Sequence, residues 1–296
     1  MQAERLIQFL DLEPRRAEEA DAIVLPVPFE KTVSYGKGTA GAPRAILEAS
    51  TQVETFDEET LLDFEQWPRL HTAEPMAVDG DTEAFLEAAA ARIAGYRGRF
   101  VLGLGGEHTV TYPLALGLAE APEELTIVQI DAHADLADSL GGLRWSHGTV
   151  MRRLWERGCR VIQVGIRSLS REEYELAERE ERIETYFAHR LGGQWGQLIA
   201  RLGALSGQVY LTIDADGLDP SVIPFTGTPQ PGGLSWAQAM ELVRTVAAAP
   251  GCRLVGADVV EYVPSPHPPG ADIVAARLAV KVLAYWGWAS AARERA

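Results

Sequence analysis

The sequence contains no asparagine, only two cysteines and only three lysines among its 27 Lys and Arg residues. Each shortage excludes something. Cys159 and Cys252 are far apart and form no CxxC pair, so neither a disulfide framework nor a thiolate metal site is indicated. Long apolar runs are missing too. No stretch approaches the roughly 20 residues of a membrane-spanning helix, and the start, Met1-Gln-Ala-Glu-Arg-Leu-Ile-Gln-Phe-Leu10, has no continuous apolar segment of the signal-peptide kind. No membrane partner is expected, and the cytoplasm is the expected compartment. Basic charge is in deficit, with a net charge of −15, which opposes nucleic-acid binding and favours a small cationic ligand. The pair Gly36-Lys37-Gly38 is not followed by Walker spacing, so a phosphate cradle is not expected there.

A hydrophobic fraction of 47% over 296 residues suits a soluble chain with a sizeable core, and a single domain over 1–296 is expected. Strand and helix patterns alternate. Strands are expected over 22–29, 100–104, 127–130, 160–165, 183–187, 208–214 and 254–260. Helices are expected over 43–50, 82–97, 170–181, 196–205, 235–248 and 271–284, with another beginning at His147. That alternation implies an α/β fold with a parallel sheet covered by helices on both faces. Pro26 and Pro28 place the first strand at an edge, or the prolines at its end. Residues 51–80 read as irregular, and the tail over 286–296 either packs at a subunit contact or frays. His71, His189 and His267 have no motif around them and read as packing or surface residues.

The chain is organised around Leu125-Thr-Ile-Val-Gln-Ile-Asp131-Ala-His133-Ala-Asp135. Its β-branched run fits a buried parallel strand. If the segment beyond it stays extended, Asp131, His133 and Asp135 point to one side. In open α/β sheets, ligands bind outside the carboxyl ends of the strands. Three other strand ends carry polar groups: His108 after Gly105-Gly106-Glu107, Asp214-Ala-Asp216, and Glu261. Imidazole and carboxylate ligands suit Mn²⁺ and also Zn, Fe or Ni. Six such ligands are too many for one catalytic ion with an open position, but two ions sharing carboxylates can use them all. A non-catalytic divalent-cation protein would use the same acids, yet would have no need of His147 and Glu261.

Gly-Gly-Glu-His108, Asp131-Ala-His133-Ala-Asp135 and Asp214-Ala-Asp216-Gly-Leu-Asp219-Pro220 resemble the signatures of the ureohydrolase superfamily of arginases and agmatinases, with the likeness extending from Pro26 to Glu261. The resemblance implies a three-layer α/β/α arginase-like fold with a central, mainly parallel sheet. It also implies a homo-oligomer, trimer or hexamer, and a centre of two Mn²⁺ ions. His108 and Asp135 would bind one ion, His133 and Asp216 the other, and Asp131 and Asp214 would bridge. A water shared by two dications loses a proton near neutral pH and would attack a guanidinium carbon to release urea. Asp135 would take its proton first. His147, in Ser146-His147-Gly148-Thr149, would be the proton shuttle, or would only cap a helix. Glu261 matches the guanidinium clamp. Thr228 would help orient that group or be a hydroxyl satisfied in its own turn. Asp219 is expected to fix the metal-bearing loop rather than bind metal. Glu107 and Thr109 stand where the family often has Asp and Ser.

Arginases read the amino-acid end of their substrate partly through asparagine, which this chain lacks. The loop over 136–146 and the stretch Gly227-Thr-Pro-Gln-Pro-Gly-Gly-Leu-Ser235 resemble agmatinases. Hydrolysis of agmatine to putrescine and urea, a step of polyamine biosynthesis, is therefore the expected activity. The alternatives are a guanidinobutyrase, guanidinopropionase, arginase or formiminoglutamase. Arg144 could pair with a carboxylated tail, and Asp138 could attract a terminal ammonium.

Overall fold

Apolar strands that follow one another through helical crossovers form a parallel sheet, because each crossover must return the chain to the same edge. The computed structural model describes residues 6–267 and 270–295; residues 1–5 of the N-terminal stretch and residue 296 of the tail lie outside them. In chain order it contains β1 (Ala22–Val27), α1 (Ala42–Ser50), β2 (Phe56–Asp57), β3 (Leu62–Asp63), β4 (Leu70–Thr72), α2 (Thr82–Ala94), β5 (Phe100–Gly105), α3 (Thr111–Leu118) and β6 (Leu125–Ile130). Then follow α4 (Val150–Glu156), β7 (Arg160–Ile166), α5 (Arg171–Arg179), β8 (Ile183–Phe187), α6 (Leu191–Gly203), β9 (Ser206–Asp214), α7 (Trp236–Ala248), β10 (Gly251–Val260) and α8 (Asp272–Glu294).

The eight-stranded sheet has the order β4-β1-β5-β10-β9-β6-β7-β8, and all its ladders are parallel. Alternate residues feed two apolar layers. Ile23, Leu25 and Val27 of β1 pack with Phe85, Leu86 and Ile93 of α2 and Leu114 of α3. Ala22 and Val24 join the layer built by α1, α6, α7 and α8, which includes Ile46, Leu198, Val243 and Leu278. Helices therefore cover both faces, and the strands are buried throughout their middles.

Several differences from the sequence reading have physical causes. β1 is interior, not an edge, but β4 pairs only with Ala22–Val24. Pro26 falls beyond that ladder, so its missing N–H costs no strand bond. The stretch 51–80 contains β4 and a short antiparallel β2–β3 hairpin. Asp57 at that hairpin is fully buried and lies 2.7 Å from Lys281 Nζ on α8, an anchor with no hydrophobic periodicity to betray it. α3 is apolar on all sides, so no stripe marks it. α6 begins at Leu191 despite Gly192 and Gly193, because Leu191, Leu198 and Leu202 form a buried stripe. The tail is helical as far as Glu294, the end of α8, and Trp286 stacks on Phe100 with ring centroids 4.6 Å apart.

Candidate metal centre and active site

Four adjacent strands, β5, β10, β9 and β6, end on the edge where the polar residues gather. The chain there approaches itself closely. A Cβ on Gly217 would lie 2.7 Å from the Asp131 nitrogen, and one on Gly106 would lie 2.0 Å from the Phe29 carbonyl oxygen. Both positions require glycine to bring ligand-bearing turns together. Asp135 and Glu261 adopt left-handed φ values of 53° and 60°, a conformation that costs on the order of 1–3 kcal/mol for non-glycine residues and is concentrated at functional sites.

His108, Asp131, Asp135, Asp214 and Asp216 are all buried. His108 Nδ1 lies 2.9 Å from Asp135 Oδ2, 3.1 Å from Asp131 Oδ2 and 3.4 Å from Asp214 Oδ2. That nitrogen has no hydrogen bond. On the other side of Asp131, His133 Nδ1 lies 3.1 Å from Asp216 Oδ2 and 3.7 Å from Asp131 Oδ1. Two groups of three ligands, His108–Asp131–Asp135 and Asp131–His133–Asp216, can each hold a metal ion and share Asp131. A buried imidazole nitrogen without a hydrogen bond, ringed by three carboxylates, fits a cation and not another side chain. The six residues picked from sequence as ligands thus converge, although the run from Asp131 to Asp135 is not regularly extended: it bends at Ala132, and Asp135 takes a left-handed φ of 53°.

The electrostatics show what this acid cluster needs. Burial and the charge of Asp131 push the Asp135 carboxyl up to about 7. Burial, then Asp216 and Asp131, raise Asp214. Burial opposes charge on the two imidazoles, but their carboxylate partners outweigh it, raising His108 and taking His133 to about 12. Protons therefore stand in for cations, and divalent ions can displace them.

Buried neighbours hold the ligands in place. His108 Nε2 is 2.9 Å from Thr212 Oγ1, and Thr111 and Tyr210 donate to Asp258 Oδ2, each at 2.8 Å. Gln129 Nε2 donates to Asp131 Oδ2 at 2.7 Å. Arg167 donates to the backbone carbonyls of Asp216, Gln230 and Pro231, tying the Asp214–Asp216 turn to the loop over 229–233. Asp219 accepts from Ser221, Gly232 and Gly233 and binds its own loop. Of these, Gln129 and Thr212 carried a signal that the sequence reading passed over. Each is polar inside an apolar strand, two residues before a ligand and therefore on the same side.

A cavity of about 270 Å³ opens onto the ligands and is lined also by Ser34, Leu140, His147, Thr228 and Glu261. Glu261 Oε1 accepts from the His108 amide at 2.7 Å, and burial raises its carboxyl. Burial lowers the His147 imidazole. No lysine or arginine is among the described residues lining this cavity. Arg144 is directed to Glu156 at 2.8 Å, and Asp138 to Arg153 at 3.2 Å, so neither side chain faces the ligands. The cavity shares Leu169 and Ser170 with a shallow outer cavity lined also by Arg171, Tyr174 and Glu175.

The sequence model described as "Arginase family" matches residues 20–285. The chain belongs to the arginase family. This family member is 34% identical over 292 residues to the N(1)-aminopropylagmatine ureohydrolase of Synechocystis sp., covering 95% of this chain and 94% of that protein. It is 36% identical to the Thermus thermophilus protein of the same name, with 84% of each covered. The solved agmatine ureohydrolase of Thermoplasma volcanium superposes with a TM-score of 0.87 at 25% identity, covering 98% of this chain and 97% of that one. The expected α/β fold with a central parallel sheet is therefore the observed one, and the chain is a ureohydrolase, a hydrolase acting on guanidino compounds. Among the described residues no helix is long and apolar enough to cross a membrane.

Proposed function

We propose that this ureohydrolase cleaves a guanidine bearing an unbranched cationic tail, agmatine or its N1-aminopropyl derivative, to urea and the corresponding amine, with two Mn²⁺ ions. The observation that carries the reading is the cavity itself. It joins the ligand cluster, His147 and Glu261 in one space, and among the described lining residues there is no cation to receive a carboxylate tail. The aminopropyl derivative is favoured by the similarity to a relative of that name over nearly the whole chain.

His108, Asp135 and the shared Asp131 and Asp214 would hold one ion, and His133 and Asp216 with the same shared acids the other. Ions held there would supply Lewis acidity and lower the pKa of a bound water. Glu261, fixed by the His108 amide, accepts N–H groups of the guanidinium and turns its carbon toward the ligands. Thr228 contributes a hydroxyl to the same wall. Asp135, beside the shared acids, would take the proton of the attacking water, and His147 would pass a proton to the departing amine nitrogen. A homo-oligomer is the expected assembly.

Urea release from a guanidine panel, measured with Mn²⁺ present, tests this. Agmatine or N1-aminopropylagmatine should exceed arginine and 4-guanidinobutanoate in kcat/KM by roughly 100-fold or more, since unpaired buried charge is costly to accept. Equal or better turnover of the carboxylated substrates, or no urea from any guanidine, would refute the reading.

A further inference from the structure

His147 has two ring nitrogens, and a proton carrier works only if the right one faces the reaction. The surroundings of the imidazole decide which. Glu107, fully buried, accepts four hydrogen bonds. Its Oε2 receives the Lys31 and Thr32 amides at 2.8 and 2.7 Å, and its Oε1 receives the hydroxyls of Thr32 and Thr109 at 2.5 and 2.6 Å. A threonine hydroxyl has one proton to give. With that proton committed to Glu107, Thr32 Oγ1 is only an acceptor toward His147, whose backbone N–H reaches it at 3.2 Å and whose Nδ1 lies 3.3 Å away. The second contact is attractive only if Nδ1 carries hydrogen. In the neutral ring Nε2 then keeps its lone pair, and Nε2 lies 2.9 Å from Ser34 Oγ on the cavity wall.

We infer that Thr32 and Glu107 are positioning residues that hold His147 in the Nδ1–H tautomer, so that Nε2 is the atom that takes and returns the proton in the reaction. Neither touches the substrate. Glu107 sets the direction of the Thr32 hydroxyl, and the hydroxyl sets the ring. Carboxylate partners orient imidazoles in this way when bonded to them directly; here one hydroxyl stands between. The inference rests on His147 being the proton carrier.

The test uses full-length Mn²⁺-loaded enzyme with agmatine as probe substrate. Thr32→Val keeps the shape and removes the acceptor. Its kcat should fall on the order of tenfold or more, the usual scale for losing such an orienting partner. KM and manganese content should stay near wild type, and Thr32→Ser should recover most of the rate. In ¹⁵N-histidine-labelled protein loaded with diamagnetic Zn²⁺ in place of paramagnetic Mn²⁺, with His147→Ala identifying the resonance, the Nδ1–H signal of wild type should be lost in the valine variant. Glu107→Gln should lower kcat in the wild-type background and add little on top of Thr32→Val, because both act through one contact. If valine prevents folding, Thr32→Ala replaces it. A wild-type kcat or an unchanged Nδ1–H signal in the variant, serine no better than valine, or additive effects of the two substitutions would each overturn the inference. If His147→Ala itself keeps full rate, the parent reading fails. If it loses rate while Thr32→Val does not, only the inference fails.

Discussion

The His108 end of the ligand cluster is walled in, with a side-chain exposure of 1% for His108, whereas the His133 side chain is 24% exposed. The closed end is supported by a buried chain of side chains, Thr212, Thr111, Asp258 and Tyr210. The open end rests on backbone, through Arg167 and the loop carbonyls it gathers, and faces the cavity with His147 and Thr228. The difference separates two tasks. A dry, rigid end sets ion affinity, because misplaced buried ligands cannot be rescued by water. An accessible end admits substrate and exchanges protons.

Substitutions can break this division, beginning with the residue both ends share. Asp131→Asn removes charge from both ligand groups, so ion uptake at both and urea formation should fall below detection in metal analysis and turnover assays. His147→Ala touches only the open end. It should retain both ions and lose roughly 10²–10⁴-fold in kcat, the range for a general acid–base group. Thr212→Val strips the partner of His108 Nε2 and should weaken the tighter step of a calorimetric Mn²⁺ titration by roughly 10–100-fold while sparing the other step. Equal weakening of both steps would mean that the ends are not independent.

Proton linkage gives a fourth test. The folded-state pKa of Asp135 lies above its ordinary 3.8, at about 7, so its contribution is fully present below pH 3.8 and is lost as pH rises through about 7. Asp214 is raised likewise, whereas the contributions of the raised His108 and His133 persist below 6.5 and are lost only above it, and the lowered Asp131 contributes above 3.8. The metal-free protein should therefore lose stability between about pH 4 and 7, on the order of a few kcal/mol. Added Mn²⁺ should raise Tm more at pH 8 than at pH 5.5. The smallest expected effect is that of Arg144→Gln. Its exposed pairing with Glu156 is worth little, so kcat/KM for agmatine should stay within roughly twofold.

Seven of the eight strands of the sheet, all but β4, and the convergence of His108, Asp131, His133, Asp135, Asp214 and Asp216 were readable in the sequence. Apolar runs ending in imidazoles and acids, joined by helices, can lie only along one sheet edge. Other features carry no such pattern. Thr32 lies in a loop and acquires its place only when Glu107 folds beside it. Arg167 is one arginine among many until the carbonyls of a remote loop meet it. The Asp57–Lys281 pair joins segments that no periodicity relates. Boundaries failed where burial overrode propensity, as at the glycines opening α6.

Mn²⁺ anomalous diffraction from crystals of the wild-type protein tests the central claim most directly. Two peaks roughly 3.5–4 Å apart, the spacing of two-metal sites, are predicted, one against His108 and Asp135 and the other against His133 and Asp216, with Asp131 and Asp214 between them. A single peak, or peaks away from these side chains at saturating Mn²⁺, would contradict the account.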